Sequence, residues 1–156
     1  LPGGLVDLVE GCRLGVYVAE VRPRWSDMDV FGHVNHANTV TLLEEARVDL
    51  LFGEGARHGA ASMAGGMVVA RLVVDYHSPL VVVGDSVRIE IAVRELRAAS
   101  FTLDYTVYNG RKSSDAVVAT AETLLVPYDV DKTRPRRLTD AERDFLAGYR
   151  AGVRSA

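Results

Sequence analysis

The chain has 156 residues, 48% of them apolar, 25% charged and only 7% aromatic, which suits one globular domain over residues 1–156 with a sizeable core. Its formal net charge is −3, so nothing draws it generally to nucleic acid, and any phosphate contact must be local. The single cysteine, Cys12, excludes an intramolecular disulfide and a cysteine-based zinc site and fits a reducing, cytoplasmic setting. No run reaches the roughly 18 apolar residues of a membrane helix. No leader pattern opens the chain, and Leu1 in place of Met suggests a trimmed start.

Residues 5–12 read as a helical turn or an irregular arm. Residues 15–25 alternate as a strand, with Tyr17, Ala19 and Val21 on one face. Pro23 removes a ladder donor and places that strand near an edge. A polar loop over 26–37 leads into a helix from about Asn38 to Phe52, with Asn35 or Asn38 as its cap. Val40, Leu42, Leu43, Ala46, Val48, Leu50 and Leu51 cover more than one stripe, the mark of a largely buried helix. Glu44 and Glu45 can pair locally with Arg47. Gly53 is a good terminator, and 53–66 is a small-residue connection with room for one helical turn.

Four strands follow, over 67–77, 86–96, 100–108 and 115–126. The second is the cleanest, with Val87, Ile89, Ile91 and Val93 against Ser86, Arg88, Glu90, Ala92 and Arg94. Asn109-Gly110 is a hairpin turn signal between the last two. A basic linker, Arg134-Pro135-Arg136-Arg137, precedes Thr139-Asp140-Ala141-Glu142, which has capping-box spacing. A short helix over about 139–150 then carries Phe145, Leu146 and Tyr149. An apolar helix needs a sheet to wrap it. The pattern therefore predicts an α+β fold, a five-stranded antiparallel sheet around a long central helix, with the core over about 16–130.

The chemistry concentrates in Asp27-Met28-Asp29-Val30-Phe31-Gly32-His33-Val34-Asn35-His36. This loop feeds the positive end of a helix dipole, which favours a group that becomes negatively charged. Asp27 and Asp29 also suit turns and caps, the commonest use of Asp in such loops. His33 and His36 with Asp29 have ligand chemistry, but Gly32 shows the chain still turning and argues against a metal site. Gly32 suits a backbone conformation closed to residues with a Cβ, or a close approach by a ligand. No serine lies in a Gly-x-Ser-x-Gly context, and no dinucleotide- or triphosphate-binding glycine pattern is present. Arg97, Arg111 and Lys112 read first as solvated surface.

The run Trp25-Ser26-Asp27-Met28-Asp29-Val30-Phe31-Gly32-His33-Val34-Asn35, leading into Leu43-Glu44-Glu45-Ala46-Arg47, closely resembles the hotdog-fold acyl-CoA thioesterases of the 4-hydroxybenzoyl-CoA thioesterase type. Tyr76-His77-Ser78-Pro79 and Gly84-Asp85 match weaker family positions over about 16–130. The resemblance implies a hotdog fold and hydrolysis of an acyl-CoA to a carboxylic acid and CoA. No cofactor is implied beyond the CoA moiety of the substrate. It makes Asp29 the nucleophile or general base, and the His36 backbone amide the donor that polarises the thioester carbonyl. Asn35 and His33 shape the loop and touch the reacting group, with Gly32 beside them. Sites would form between protomers of a homodimer or homotetramer, with no nucleic-acid or membrane partner. Arg97, Ser100, Arg111 and Lys112 are the candidates for CoA phosphates.

The chain departs from the pattern at His36, where a second Asn is usual, and at Thr39 and Leu42, where aromatics are common. Those smaller residues would widen the acyl pocket or alter what the helix packs against. Glu44 or Glu45 is the alternative, helix-borne carboxylate. Hydrolysis of an acyl-carrier-protein thioester, or acyl-CoA binding without turnover, remain alternatives to acyl-CoA hydrolysis.

Overall fold

The computed structural model describes residues 15–150; the arm expected at 5–12, and Cys12 with it, lies outside them. The chain forms β1 (Tyr17–Val21), a 3-10 turn (Trp25–Asp27), α1 (His36–Val48), a π-helical stretch (Asp49–Glu54) and α2 (Gly55–Arg57). A second 3-10 turn (Ala61–Gly65) leads to β2 (Met67–Tyr76), β3 (Val87–Leu96), β4 (Phe101–Tyr108) and β5 (Val117–Asp129). The two-residue β6 (Arg134–Pro135) and α3 (Asp140–Ala147) close the chain.

The strands form one antiparallel sheet in the order β1-β3-β4-β5-β2, with β6 added on β5. This makes six strands rather than the expected five, because the basic linker supplies β6. Strand β1 lies at an edge, as Pro23 indicated. The β3–β5 register lines up rows of apolar residues: Ile89, Val107 and Ala119 in one, Ile91, Tyr105 and Ala121 in the next. All six are buried, and they face a core that includes Leu42, Leu43 and Ala46 of α1. Register shifts at Val69/Arg71 and Val93/Glu95 bend their strands, which lets the sheet curl.

Two helix expectations change. Helical turns continue past Gly53 to Arg57 because the wider π turn keeps the backbone bonded, with the Gly55 N–H donating to the Leu50 carbonyl. That stretch seats both Leu50 and Leu51 in the core. The terminating glycine is Gly59, at φ +83°, a conformation that suits Gly after a helix. In addition, α1 buries one side only: Thr39, Leu42, Leu43 and Ala46 point inward, whereas Val48 is 40% exposed. Glu45 pairs with Arg24 at 3.6 Å, and Arg47 donates to the Tyr105 hydroxyl at 3.4 Å, so neither makes the local helix pair that the spacing allows.

The Asn109-Gly110 signal marks a loop rather than a two-residue hairpin. The Asn109 N–H donates to the Ala116 carbonyl at 2.8 Å, and Asp115 accepts the Lys112 amide inside that span at 2.8 Å. The capping box of α3 is present: Thr139 Oγ1 accepts from the Glu142 N–H at 3.1 Å, and Glu142 accepts from the Thr139 N–H at 2.8 Å. No helix is long and apolar enough to cross a membrane among the described residues.

Candidate active site

The loop between β1 and α1 is built from short-range hydrogen bonds. Asp27, 4% exposed, accepts the Arg24 backbone amide on Oδ2 at 2.7 Å and so caps the first 3-10 turn. Its carbonyl accepts from the Asn35 N–H at 2.9 Å and the Asn38 side-chain amide at 3.1 Å, which ties the loop to the helix start.

Beyond it, Met28 and Val34 bridge as an antiparallel pair around a tight turn. The Asp29 N–H donates to the His33 carbonyl at 2.8 Å, and the Gly32 N–H returns to the Asp29 carbonyl at 3.2 Å. Gly32 takes φ +75° to close this turn, and a Cβ there would meet nothing within 4 Å. Its glycine therefore answers a backbone requirement, not a crowded approach. Asp29 Oδ1 accepts from the Phe31 N–H at 2.9 Å and the His33 N–H at 3.2 Å. Turn aspartates do this routinely. Its other oxygen meets no donor among the described residues.

Asn35 is the helix cap, its Oδ1 accepting from the Ala37 N–H at 2.9 Å. The Asn35 carbonyl takes the Thr39 N–H at 3.0 Å. The His36 amide, first of the helix, has no acceptor among the described residues, so it remains an unused donor at the positive end of the dipole.

Asp29, His33, His36 and Thr39 line a cavity of about 370 Å³ with Tyr76, the last residue of β2, and with His77 and Ser78 just after it. Val34, Leu80, Val118 and Ala119 supply its apolar wall. The Val34 N–H donates to the Leu80 carbonyl at 2.8 Å, fixing the loop against the segment after β2. Tyr76 Oη donates to the His36 carbonyl at 2.6 Å, and its ring stands edge-on to the His36 ring, with centroids 6.4 Å apart. Partial burial pushes the Tyr76 phenol above its ordinary pKa, so it stays a donor. His77 shares a 3.0 Å hydrogen bond with Thr120. Three imidazoles and one carboxylate therefore border the cavity, with no lysine or arginine in its lining. No group of three His, Cys, Asp or Glu side chains is placed to hold a metal ion among the described residues.

The remaining expected site residues lie elsewhere. Gly32 and Asn35 shape the loop without lining the cavity. Leu42 is fully buried in the core. Arg97 and Ser100 border a separate groove of about 230 Å³ on the sheet, beside Arg71, Arg94 and Glu122. There Glu122 takes both Arg71 and Arg94, and Arg97 meets Glu95 at 3.3 Å, so most of the positive charge is already matched. Arg111 and Lys112 sit in the β4–β5 loop, with Arg111 3.8 Å from Glu20. Sequence reading passed over Tyr76, His77 and Ser78 as site residues. Their signal was the Tyr-x-x-Pro spacing, read only as a family match.

A curled antiparallel sheet over a helix, with an acidic turn and a helix start opening on one cavity, is the hotdog arrangement of α+β proteins. Residues 23–147 match the model of the Thioesterase-like superfamily, and the chain belongs to that family. No curated protein sequence matches it. Among solved structures it is similar to a 1,4-dihydroxy-2-naphthoyl-CoA thioesterase from Synechocystis, at 18% identity over 85% of this chain and 96% of that one, with a TM-score of 0.69. It is also similar to the PA5185 protein from Pseudomonas aeruginosa, at 22% identity over 88% and 94% of the two chains and a TM-score of 0.72. A Staphylococcus aureus protein solved in complex with CoA aligns at 13% identity over 90% and 87%, with a TM-score of 0.74. At these identities the structural likenesses establish the fold alone.

Proposed function

We propose that the protein hydrolyses an acyl-CoA thioester to the free acid and CoA. The observation that carries this reading is the shared cavity: Asp29, with one carboxylate oxygen not engaged by the loop, and His36, with an unused helix-start amide, line the same space of about 370 Å³. Thioester hydrolysis needs both. A carboxylate either attacks the carbonyl carbon or takes a proton from the water that does. The carbonyl oxygen becomes an oxyanion, which the His36 N–H stabilises. The C–S bond then breaks, and the CoA thiolate leaves and takes up a proton. The apolar wall of Val34, Leu80, Val118 and Ala119 receives the acyl group, and Thr39 sets its width.

The CoA-bound S. aureus relative and the naphthoyl-CoA thioesterase relative favour CoA as the carrier. Among the described residues strand β2 pairs only with β5, and Val68, Val69, Leu72 and Tyr76 along it are 38–49% exposed. That unpaired apolar edge favours a homodimer whose second copy closes the cavity. A cytoplasmic location, where acyl-CoA is made and consumed, accompanies this reading.

A panel of acyl-CoAs with a coloured thiol assay tests it, with Asp29→Asn as control. The expected result is turnover by the wild type and its loss in the variant. Equal turnover by Asp29→Asn would remove Asp29 from the mechanism. Tight acyl-CoA binding without thiol release would make the protein a binder, and a strong preference for acyl-carrier protein would change the carrier.

A further inference from the structure

Resting on the hydrolytic reading above, we infer that Tyr76 is a positioning residue for the oxyanion donor: its hydroxyl, 2.6 Å from the His36 carbonyl, fixes the orientation of the residue whose N–H meets the thioester oxygen. A first-turn carbonyl ordinarily accepts one bond, from the amide four residues on. His36 accepts a second, from a strand that belongs to the sheet and not to the helix. The peptide that follows His36 is thus held from two sides, at its Ala37 N–H by the Asn35 side chain and at its carbonyl by Tyr76, while the preceding peptide, which carries the His36 N–H, is held through the Asn35 carbonyl, which accepts from the Thr39 N–H at 3.0 Å. The edge-on contact of the two rings limits the same motion, because a rotation of His36 would carry its ring away from Tyr76.

The arrangement has a chemical use. An oxyanion donor works only if it is already aimed when charge develops. Helix first turns are the part of a helix most free to fray, and a 1 Å misplacement can cost on the order of 10²-fold in rate. Asn35 alone caps the amide of Ala37, not that of His36. Tyr76 adds a bond from the sheet on the carbonyl side of His36 and does not touch its N–H, so the amide stays available to the substrate.

Tyr76→Phe tests this. Tyr76 is 49% exposed in the single chain, and the substitution keeps the ring, so the fold should tolerate it. The variant and wild type are compared on the acyl-CoA that the wild type turns over fastest. The expected result is a kcat lower by on the order of 10-fold with KM within about twofold and an unchanged melting temperature, because ground-state binding keeps its contacts. A second readout separates positioning from mere support. In the Asp29→Asn background the carbonyl stretch of bound acyl-CoA, read by difference infrared spectroscopy, shifts less from its free value once Tyr76→Phe is added. An unchanged kcat, or a carbonyl stretch indifferent to Tyr76, overturns the inference while the hydrolytic reading stands. A wild type that turns over no acyl-CoA overturns both.

Discussion

Asp27 turns its carboxylate back onto the Arg24 amide at 2.7 Å, whereas Asp29, two residues on and in the cavity lining, gives one oxygen to the Phe31 amide at 2.9 Å and leaves the other without a donor among the described residues. Two aspartates in one loop therefore carry separable duties. Asp29→Asn retains a carbonyl oxygen for the turn but cannot act as a base or nucleophile. We expect it to lose on the order of 10²-fold or more of kcat with little change in stability. Asp29→Ala should lose the same activity and also weaken the turn. Asp27→Ala should do the reverse, costing about 1 kcal/mol of stability through the lost cap while leaving the shape of the pH–rate profile unchanged. Steady-state kinetics beside denaturant titration separates the three.

Thr39 lines the cavity and is 4% exposed, whereas Leu42, one turn along α1, is wholly in the core. The two departures from the family pattern thus predict different phenotypes. Thr39→Tyr should narrow the acyl space, lowering kcat/KM more for the longest acyl group than for the shortest, at a cost of roughly 1–3 kcal/mol if the new ring overpacks the site. Leu42→Ala should cost about 2–5 kcal/mol through its cavity and leave the ranking of acyl groups as it was. Kinetics across an acyl-CoA series, normalised to the folded fraction, checks both.

Much of this was legible in the residues. The period-2 run at Val87, Ile89, Ile91 and Val93 became a strand with those residues buried, since alternation follows directly from strand geometry. Thr139 and Glu142 formed their capping box because both bonds are local. The loop's two aspartates divided into a cap and a cavity residue, roles that spacing alone could not separate. What escaped was set by tertiary contact. Gly53 looked like a helix end until Leu50 and Leu51 are seen to need the core. Tyr76 looked like one face of a strand, and its bond to His36 joins residues forty apart, which no local pattern encodes. Arg97 looked available for phosphate, but it lies in a groove where Glu122, brought over on β5, takes up Arg71 and Arg94, while Glu95 meets Arg97 itself at 3.3 Å.

The unpaired edge of β2 gives a prediction about assembly. Leu72 and Val69 are 38% and 45% exposed there, on a strand whose only partner among the described residues is β5. Replacing Val69 with Lys puts a charge on an edge that copies of the chain would share, a substitution that blocks strand-to-strand pairing. Light scattering after size exclusion should show the wild type as a dimer or larger and Val69→Lys shifted toward monomer, with turnover falling in parallel. A monomeric wild type with full activity would remove the second copy from the site.

Glu142 and Arg136 predict an acid-labile clasp. Glu142 is fully buried, yet it accepts from Arg136 at 2.8 Å, Ser62 at 3.0 Å and the Thr139 amide at 2.8 Å. Burial pushes its pKa up, but Arg136, the Thr139 amide and the Ser62 hydroxyl outweigh that and hold the carboxyl below its ordinary value. A carboxylate lowered in the folded state stabilises the protein above its unfolded pKa, and that contribution is lost as pH falls through the folded value. Glu54, lowered by Arg57 and His58 against its own burial, adds a slope of the same sign. Glu142→Gln removes only the clasp's share. It should cost on the order of 3 kcal/mol near pH 7, since Arg136 is left with a neutral partner. The gap between variant and wild type should close as the pH drops below about 4, the range in which carboxylates protonate. Denaturant titrations from pH 7 to pH 3 measure that gap directly, and a gap that stays constant with pH would mean the ion pair contributes nothing to the acid sensitivity of α3.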